Sequence, residues 1–304
     1  MGARGLAREA TAALLRVSGA PWLLRRAHRR GRATILFYHD PKPAVLDAHL
    51  AFLRRHYHLT TLDAIVRSVE QRDPAAIPDN ALALTFDDGH RGNHALLPVF
   101  RRHGVVPTIY LCSQIVGTAR RFWFQLPGVN PDPYKRLGNA ERLAALARDA
   151  GFENTREYPL AERQALSDRE IEEMAPYVDF QVHTRFHPLL PRCTDEEAWE
   201  EIAGSKRELE KRLGRECRHF CYPNGDWSDR DAELARRAGF ASARTTQLGW
   251  ARADSDLFRL PCFGITDTAS VRILAAQLSG IPSYIRRRTV GIRNLDAWQP
   301  PAPA

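Results

Sequence analysis

Seven short apolar runs, separated by segments with helical start and stop signals, limit what this chain of 304 residues can fold into. Each run is continuous rather than alternating, which is typical of strands covered on both faces. Strands that alternate with helices indicate an α/β fold with a parallel sheet. About seven such units suggest a closed or nearly closed barrel, although an open doubly wound sheet fits the same pattern. The runs occupy residues 33–38, 81–86, 106–112, 178–183, 218–222, 240–245 and 258–263.

Capping signals place helices between the predicted strands. Thr194 and Glu197 have the spacing of a capping box, which opens a helix that we expect to end at Gly214. Similar signals occur elsewhere, and glycines mark the expected helix ends. These further helices begin at Ser167, run from Ser228 to Gly239, and cover about 268–279 before Gly280.

One interval is too long to be an ordinary connection between a strand and the next element. Residues 113–166 contain two predicted helices and a stretch rich in proline, glycine and aromatic residues. Long insertions of this kind are usually lids or binding loops. Trp123, Phe124 and Tyr134 either stack on a sugar or plug the insertion onto the barrel. We therefore expect one barrel domain over residues 33–285 that carries this insertion.

The net charge of +8 is concentrated in an N-terminal arm over residues 1–32, which carries eight arginines and one glutamate. The rest of the chain is nearly neutral, whereas a nucleic-acid-binding domain carries its basic face on the fold itself. We therefore expect no nucleic-acid partner. No apolar run reaches the roughly 18 residues that a membrane-spanning helix needs. Residues 286–304 end in PPAPA and are interpreted as a C-terminal tail.

The arm lacks the pattern of a cleaved secretory signal, because Arg16 interrupts its apolar centre. One interpretation is a basic helix that lies on an anionic membrane surface. The other is a helix packed on the domain, or a loose tail. Five cysteines without a CxxC pair indicate a reducing compartment. We expect a cytoplasmic protein, peripheral on the inner face of the membrane if the arm binds lipid.

Two polar motifs follow predicted strands, at the ends where parallel α/β folds place their active sites. Asp87 and Asp88 lie in the sequence TFDDG, and His183 and His187 lie in HTRFH. Pro188 disfavours a helical conformation at His187, so the histidines are not a helical pair. Two histidines and one carboxylate leave coordination positions open for water. This mixed ligation suits Zn²⁺ and also Co²⁺, Ni²⁺, Mn²⁺ or Fe²⁺.

In their order and spacing, TFDDG, HTRFH and FCYPNG resemble the motifs of the polysaccharide deacetylases, the NodB-homology domain of carbohydrate esterase family four. The pair Tyr38-His39 is similar to a tyrosine–histidine pair near the first strand of many members. The resemblance covers about 33–280. It implies a distorted (β/α) barrel and the metal-dependent removal of an N- or O-acyl group from a sugar.

Carried over residue by residue, the resemblance implies that Asp88, His183 and His187 bind the metal. It also implies that Asp87 is the general base, and that the backbone amide at Tyr222 helps to hold the oxyanion. Elementary chemistry agrees with these roles. A bound metal polarises the acetyl carbonyl and lowers the pKa of a water molecule to about 7, and a carboxylate accepts its proton.

The chain departs from the family pattern in its proton donor. Many members use a late histidine to protonate the leaving amine, but no histidine follows His219 here. His39, His90 and metal-bound water are the candidates to replace it, and the sequence does not choose between them. Many similar sequences also have a basic residue after the Leu-Pro of the last strand. Here Cys262 stands at that position, and Arg259 is the basic residue nearby.

We expect a hydrolase of carbon–nitrogen bonds other than peptide bonds, which uses a divalent metal to remove an N-acetyl or other acyl group from a glycan or a lipid-linked sugar. Two alternatives use the same fold. One is hydrolysis of a small cyclic or linear amide, which a closed pocket beneath residues 121–138 would favour over an open groove. The other is a non-catalytic glycan-binding relative that keeps the metal as a structural clamp.

Overall fold

The computed structural model describes residues 9–13, 18–19 and 30–280, so most of the predicted arm and all of the predicted tail lie outside the described residues. Nine strands form one sheet. Their bounds are β1 (Arg32–Tyr38), β2 (His58–Thr60), β3 (Ala81–Phe86), β4 (Thr108–Leu111), β5 (Asp179–Val182), β6 (His219–Cys221), β7 (Ser242–Leu248), β8 (Ala251–Arg252) and β9 (Leu260–Gly264).

The sheet closes into a barrel because β1 pairs with strands from both ends of the series. It runs parallel to β3, with Leu36 opposite Leu84, and parallel to β9, with Leu36 opposite Phe263. From β3 the ring continues through β4, β5, β6 and β7 to β9, which gives seven parallel strands. The seven apolar runs are therefore the barrel strands, and the closed alternative is confirmed. The short strands β2 and β8, which pair with β3 and β1, were not predicted.

Side chains of the barrel strands alternate between two layers. Leu82 and Leu84 belong to the larger hydrophobic cluster, whereas Ala81 and Ala83 belong to a second one. Successive side chains of a strand point to opposite faces, so β3 is covered on both faces and all of its residues are buried. This two-sided burial explains why the runs are continuous rather than alternating.

Helices cover the outside of the barrel, and most begin where the sequence predicts. Capping boxes are present at Ser167, Thr194 and Ser228. The last helix begins at Val271 rather than 268, because the Ser270 side chain caps it. The helices are α1 (Pro43–His56), α2 (Leu62–Glu70), α3 (Leu97–His103), α4 (Asn139–Ala150), α5 (Asp168–Met174), α6 (Asp195–Trp199), α7 (Ser205–Leu213), α8 (Asp229–Arg237) and α9 (Val271–Leu278).

The helix that follows Thr194 contains an irregularity that the sequence does not reveal. A π-helical turn over Glu200–Gly204 joins α6 to α7. α7 then ends at Gly214, as predicted, with the glycine in the left-handed conformation that favours this residue at a helix end.

A short part of the N-terminal arm and all five cysteines lie among the described residues. Glu9 accepts a hydrogen bond of 3.0 Å from the Ser270 hydroxyl, and Ala12 is buried, so the described segment 9–13 lies against the barrel beside α9. All five cysteines are buried thiols. Among the described residues, no helix combines the length and the apolarity needed to cross a bilayer.

Candidate metal centre and active-site cavity

Three potential metal ligands converge where β3 and β5 end. Asp88 follows β3 and the two histidines follow β5, and these two parallel strands lie on either side of β4, so all three residues are at the same edge of the barrel. The Nε2 atoms of His183 and His187 each lie 3.3 Å from Oδ1 of Asp88. This oxygen is buried and has no hydrogen-bond partner. Ligand atoms bound about 2.0–2.2 Å from one tetrahedral Zn²⁺ are separated by about 3.3–3.5 Å, so the three atoms fit a shared metal ion.

The surroundings of the three residues prepare them for ligation. The Nδ1 atom of His183 lies 2.8 Å from the Cys221 carbonyl and donates to it, which leaves the Nε2 lone pair facing Asp88. The second oxygen of Asp88 lies 2.9 Å from Nε2 of His90. Burial alone would raise the pKa of Asp88, but the histidines around it reverse the shift, and the pKa lies well below its usual range. Burial lowers the pKa of His187 to about 3, which keeps its ring neutral at pH 7.

The insertion contributes to this site by packing against His187, and Trp123 and Phe124 also line the cavity in front of it. The Trp123 indole donates a hydrogen bond of 2.7 Å to the His187 carbonyl, and only 2% of Trp123 is exposed. The Phe124 ring lies 4.5 Å from the His187 ring, measured between centroids. Tyr134 donates to Asp149 within the insertion. Of the two interpretations of these aromatic residues, packing against the barrel is the one observed for Trp123.

Left-handed backbone conformations are concentrated around the site. Among the described residues, six other than glycine have a positive φ, and four of these belong to the three motifs. Such conformations are costly for residues with a side chain and are found where function requires them. The four residues are Asp88 (φ 72°), Thr184 (φ 67°), His187 (φ 57°) and Asn224 (φ 57°).

Asp87 forms a buried ion pair with an arginine that the sequence motifs do not include. Arg244, on β7, donates from Nη2 to Oδ1 of Asp87. Burial alone would lower the pKa of Arg244, but the Asp87 carboxylate raises it well above the usual value. Asp87, His183 and Cys221 also lie close enough together to suggest a second metal group. The Arg244 guanidinium lies 2.8 Å from the Cys221 sulfur and also contacts Asp87, so it places a cation beside two of these residues and makes the Asp88 group the better candidate for a metal centre.

Two expectations for residues near the site are not supported by their placement. The Tyr222 amide donates to the Arg244 carbonyl within the sheet, and its hydroxyl donates to the Phe258 carbonyl, so neither is directed to an oxyanion. Arg259 lies on the Trp227 ring and pairs with Asp229, away from Asp87. The basic residue that contacts Asp87 is Arg244.

A cavity of about 820 Å³ opens in front of the metal ligands. His39, which follows β1, lines it and is exposed, while its backbone amide donates to Asp267. His90 also lines the cavity, but its ring is held against Asp88. His219 lies elsewhere in the barrel, with its ring bonded to Ser242. Of the two histidines that are candidate proton donors, His39 is the one whose side chain is not held by a metal ligand.

A second cavity of about 670 Å³ adjoins the first, and Lys135 and Asn224 line both. Trp227 lines the second cavity, and its ring is half-buried between the Tyr222 ring and the Arg259 guanidinium. The space in front of the metal ligands is therefore continued sideways rather than closed by the insertion.

Comparison with known proteins yields consistent similarities. A family model described as polysaccharide deacetylase matches residues 75–243, more than half of the chain. YxkH of Bacillus subtilis (strain 168), described as a polysaccharide deacetylase, is 20% identical over 248 residues, which are 77% of this chain and 72% of that protein.

Solved structures show the same fold. The Streptococcus pyogenes deacetylase PplD, in complex with acetate, aligns with a TM-score of 0.60 and 18% identity over 82% of this chain and 99% of its own. IcaB from Ammonifex degensii aligns with a TM-score of 0.61 and 18% identity over 82% of this chain and 97% of its own. These likenesses concern the fold, and they confirm the predicted distorted (β/α) barrel.

Proposed function

Because this chain belongs to the polysaccharide deacetylase family, we propose that it is a metal-dependent hydrolase that removes an N-acetyl or other acyl group from a glycan. The predicted enzyme class, a hydrolase of carbon–nitrogen bonds, agrees with this membership. The observation that carries the proposal is the convergence of Asp88, His183 and His187 beside the buried carboxylate of Asp87. Two imidazoles and a carboxylate suit Zn²⁺ and also Co²⁺, Ni²⁺ or Mn²⁺.

The residues at the cavity have different roles in the proposed hydrolysis. A divalent metal held by Asp88, His183 and His187 would supply polarisation of the acyl carbonyl and a water of lowered pKa. Asp87 accepts the proton of the attacking water on Oδ2, because Oδ1 is occupied by Arg244. Arg244 in turn fixes the orientation of the carboxylate. Asn224 and Gly225, from the motif that contains Tyr222, line the cavity in its place.

We propose His39 as the group that protonates the leaving amine. It lines the cavity from the end of β1, and its side chain is exposed there. Replacement of His39 by Gln should lower kcat by about 10²–10⁴-fold, because general acid catalysis contributes that much. An unchanged kcat in this variant would assign the proton donation to another group.

The shape of the cavity favours a glycan over a small amide. A small cyclic or linear amide needs one enclosed pocket, whereas the adjoining cavity leaves room for a neighbouring sugar unit beside the half-buried Trp227. We therefore expect kcat/KM to rise with the number of N-acetylated units in the substrate. Trp227→Ala should abolish this rise and leave the turnover of the shortest substrate within about twofold of the original.

The basic arm supports a narrower proposal on substrate and place. Eight arginines within residues 1–32 suit an anionic membrane surface, and a polyprenyl-linked sugar at its inner, cytoplasmic face would be within reach of the cavity. Co-sedimentation with vesicles that contain anionic lipid tests this proposal. We expect binding that weakens with salt and is lost when residues 1–29 are deleted. Equal binding by the shortened protein would refute the membrane contact.

Acetate release provides the direct test of the proposed function. The protein is stripped of metal, reloaded with Zn²⁺, Co²⁺, Ni²⁺ or Mn²⁺, and offered N-acetylated oligosaccharides and lipid-linked N-acetyl sugars. We expect release that depends on the metal and is absent from His183→Ala. Metal binding and sugar binding without release from any substrate would instead identify a non-catalytic binding protein.

A further inference from the structure

The loop between the two metal-binding histidines is held at both of its ends by hydrogen bonds to its backbone. The Thr184 and Arg185 carbonyls accept from the amides of Ser113 and Gln114, at 3.0 and 3.2 Å. The His187 amide donates to the Thr184 hydroxyl, and the His187 carbonyl accepts from the Trp123 indole. These contacts account for the ends of the loop, but the two amides in its middle need another acceptor.

That acceptor is a single carboxylate oxygen from outside the loop. Oε2 of Glu201 accepts from the Arg185 amide at 2.8 Å and from the Phe186 amide at 3.0 Å. The two amides lie between the metal-binding histidines, so Glu201 fixes the part of the backbone from which both imidazoles project. Without this oxygen, two donors in the middle of the loop would lose their partner.

Glu201 reaches the loop from the π-helical turn that joins α6 to α7. π-helical turns are rare and are found frequently at functional sites. Gly204, at the end of the turn, leaves space for the Arg185 side chain, since a Cβ there would lie 3.3 Å from Arg185 Cδ. Arg185 uses this space to pair with Glu208 on α7, at 2.9 Å. The π-helical turn therefore contacts the backbone of the loop through Glu201 and the Arg185 side chain at Gly204.

The ionised form of Glu201 is less favoured in the folded protein than it is in water. Burial raises the pKa of Glu201 to about 7, against the effect of the two amides and of Arg185 and Arg142 nearby. A group that only filled space at this position would be better tolerated as an uncharged side chain. The presence of a carboxylate here is explained by its oxygen, which accepts hydrogen bonds from both the Arg185 and the Phe186 amides.

We propose that Glu201 is a positioning residue for the metal ligands: its carboxylate, presented by the π-helical turn, fixes the His183–His187 loop in the conformation that binds the metal. This inference rests on the proposed metal-dependent function. Glu201 does not touch the ligand atoms, so it acts through the loop backbone rather than through the metal.

Cobalt binding measured without substrate tests the inference. The dissociation constant of Co²⁺ is determined by competition with a chelator, and the visible absorption of the bound ion reports the ligand geometry. We expect Glu201→Ala to weaken Co²⁺ binding by about 10–100-fold, the usual effect of removing an outer support, and to change the spectrum. Glu201→Gln keeps an oxygen that accepts from both amides, so its binding should stay within about threefold of the original, with the same spectrum.

Two further variants make the result unambiguous. Glu200→Ala, on the same turn, removes a surface ion pair with Arg207 and should leave Co²⁺ binding unchanged. Glu201→Asp retains the charge on a shorter side chain, and it replaces Glu201→Ala in the comparison if the alanine variant does not fold. It should weaken binding more than Glu201→Gln does.

The outcomes separate this inference from the proposed function. Wild-type Co²⁺ affinity and spectrum in Glu201→Ala, or equal weakening in Glu201→Gln and Glu201→Asp, would overturn the role of Glu201 and leave the metal centre intact. Failure of the unaltered protein to bind Co²⁺ would overturn the proposed metal centre itself, and the inference with it.

Discussion

At the scale of single residues, the most demanding feature is a full charge in the centre of a barrel strand. The Arg244 side chain is completely buried on β7, and Asp87 is the carboxylate that faces it. An uncompensated buried charge costs far more than a neutral residue, so each member of the pair depends on the other for its place in the fold. The arrangement couples the stability of the barrel to the residue proposed as the general base.

Removal of Arg244 should therefore destabilise the protein. We expect Arg244→Met to lower the free energy of unfolding by about 3–5 kcal/mol, because it leaves the Asp87 carboxylate buried without a partner. In the double variant Asp87→Asn/Arg244→Met the loss of unfolding free energy should be smaller than the sum of the two single-variant losses by about 1–3 kcal/mol. Denaturant unfolding of the two single variants and the double variant measures both quantities. Additive losses would show that the two residues do not form a stabilising pair.

Glu201 gives a prediction for the pH dependence of stability in the metal-free protein. Burial raises its pKa from 4.5 in the unfolded chain to about 7 in the folded one, so the folded state binds more protons between these values. The contribution of Glu201 to stability is therefore highest below pH 4.5, falls as the pH rises to about 7, and is constant above that value.

Glu201→Gln removes this titration. The difference in unfolding free energy between this variant and the original should shift in favour of the variant by about 1–2 kcal/mol from pH 4.5 to pH 7.5, below the full linkage value because the side chain keeps some contact with solvent. Denaturant unfolding at several pH values follows the difference, in which the other titrating groups cancel. A difference independent of pH would contradict the raised pKa.

At the scale of elements, the third motif contains a glycine whose position favours no other residue. Gly225 has a φ of +77°, and a Cβ built on it would lie 2.6 Å from the Cβ of Thr246 on β7. The short turn that lines the cavity thus packs directly on a barrel strand. A side chain at this position would be strained and would also displace the turn from the strand.

Gly225→Ala should destabilise the protein by about 2–4 kcal/mol, since a left-handed alanine costs about 1 kcal/mol and an overpacked contact costs about 1–3 kcal/mol more. Gly214→Ala is the matched control, because Gly214 also has a positive φ (+64°) but has open space around its Cβ position. It should cost about 1 kcal/mol. Equal losses in thermal or denaturant unfolding would mean that the contact with Thr246 relaxes without cost.

The insertion offers a test of its own. Trp123→Phe removes the donor to the His187 carbonyl and keeps most of the buried ring, so we expect a loss of about 1–2 kcal/mol and weaker Co²⁺ binding. Trp199→Phe, on α6, changes a ring that contacts the Arg237 guanidinium and should leave Co²⁺ binding unaltered. Scanning calorimetry measures the loss of stability, and competition with a chelator measures the dissociation constant of Co²⁺. Unchanged Co²⁺ binding in Trp123→Phe would make the insertion a cover without a role at the metal centre.

The strands and capped helices of this fold are predictable because their signals are local. An apolar run bounded by polar residues predicts β3, and the box at Thr194 predicts the start of α6. β2 and β8 are too short to produce such a pattern, being 3 and 2 residues long. The π-helical turn contacts a loop that lies 16 residues earlier in the sequence, between Arg185 and Glu201, and no capping or periodic pattern marks it.

The site also contains residues that local motifs predict and contacts that they do not. The three proposed metal ligands lie in sequence motifs, whereas the partner of Asp87 lies 157 residues away and is set by the pairing of β6 with β7. One signal was available: an arginine within a buried strand requires an opposite charge. The placement of the Tyr222 amide could not be predicted, because the sequence does not show that this amide donates to β7.

At the scale of the whole molecule, metal binding and folding should be linked. A ligand that binds the folded state alone stabilises it by about 4 kcal/mol at a thousandfold excess over its dissociation constant. For a domain of this size, we expect Zn²⁺ to raise the melting temperature by about 8–16 °C. His187→Ala should show no such rise. Scanning fluorimetry compares the two proteins, and an equal rise in His187→Ala would place the stabilising ion elsewhere.

The left-handed residues around the metal centre have a consequence for how such a protein evolves. Glycine at Thr184 or Asn224 would relieve the left-handed strain, but it would also remove a hydrogen bond. The Thr184 hydroxyl accepts from the His187 amide, and the Asn224 side chain donates to Asp226. A lineage under pressure for greater stability therefore cannot take the simplest route at these two positions without giving up contacts that shape the site.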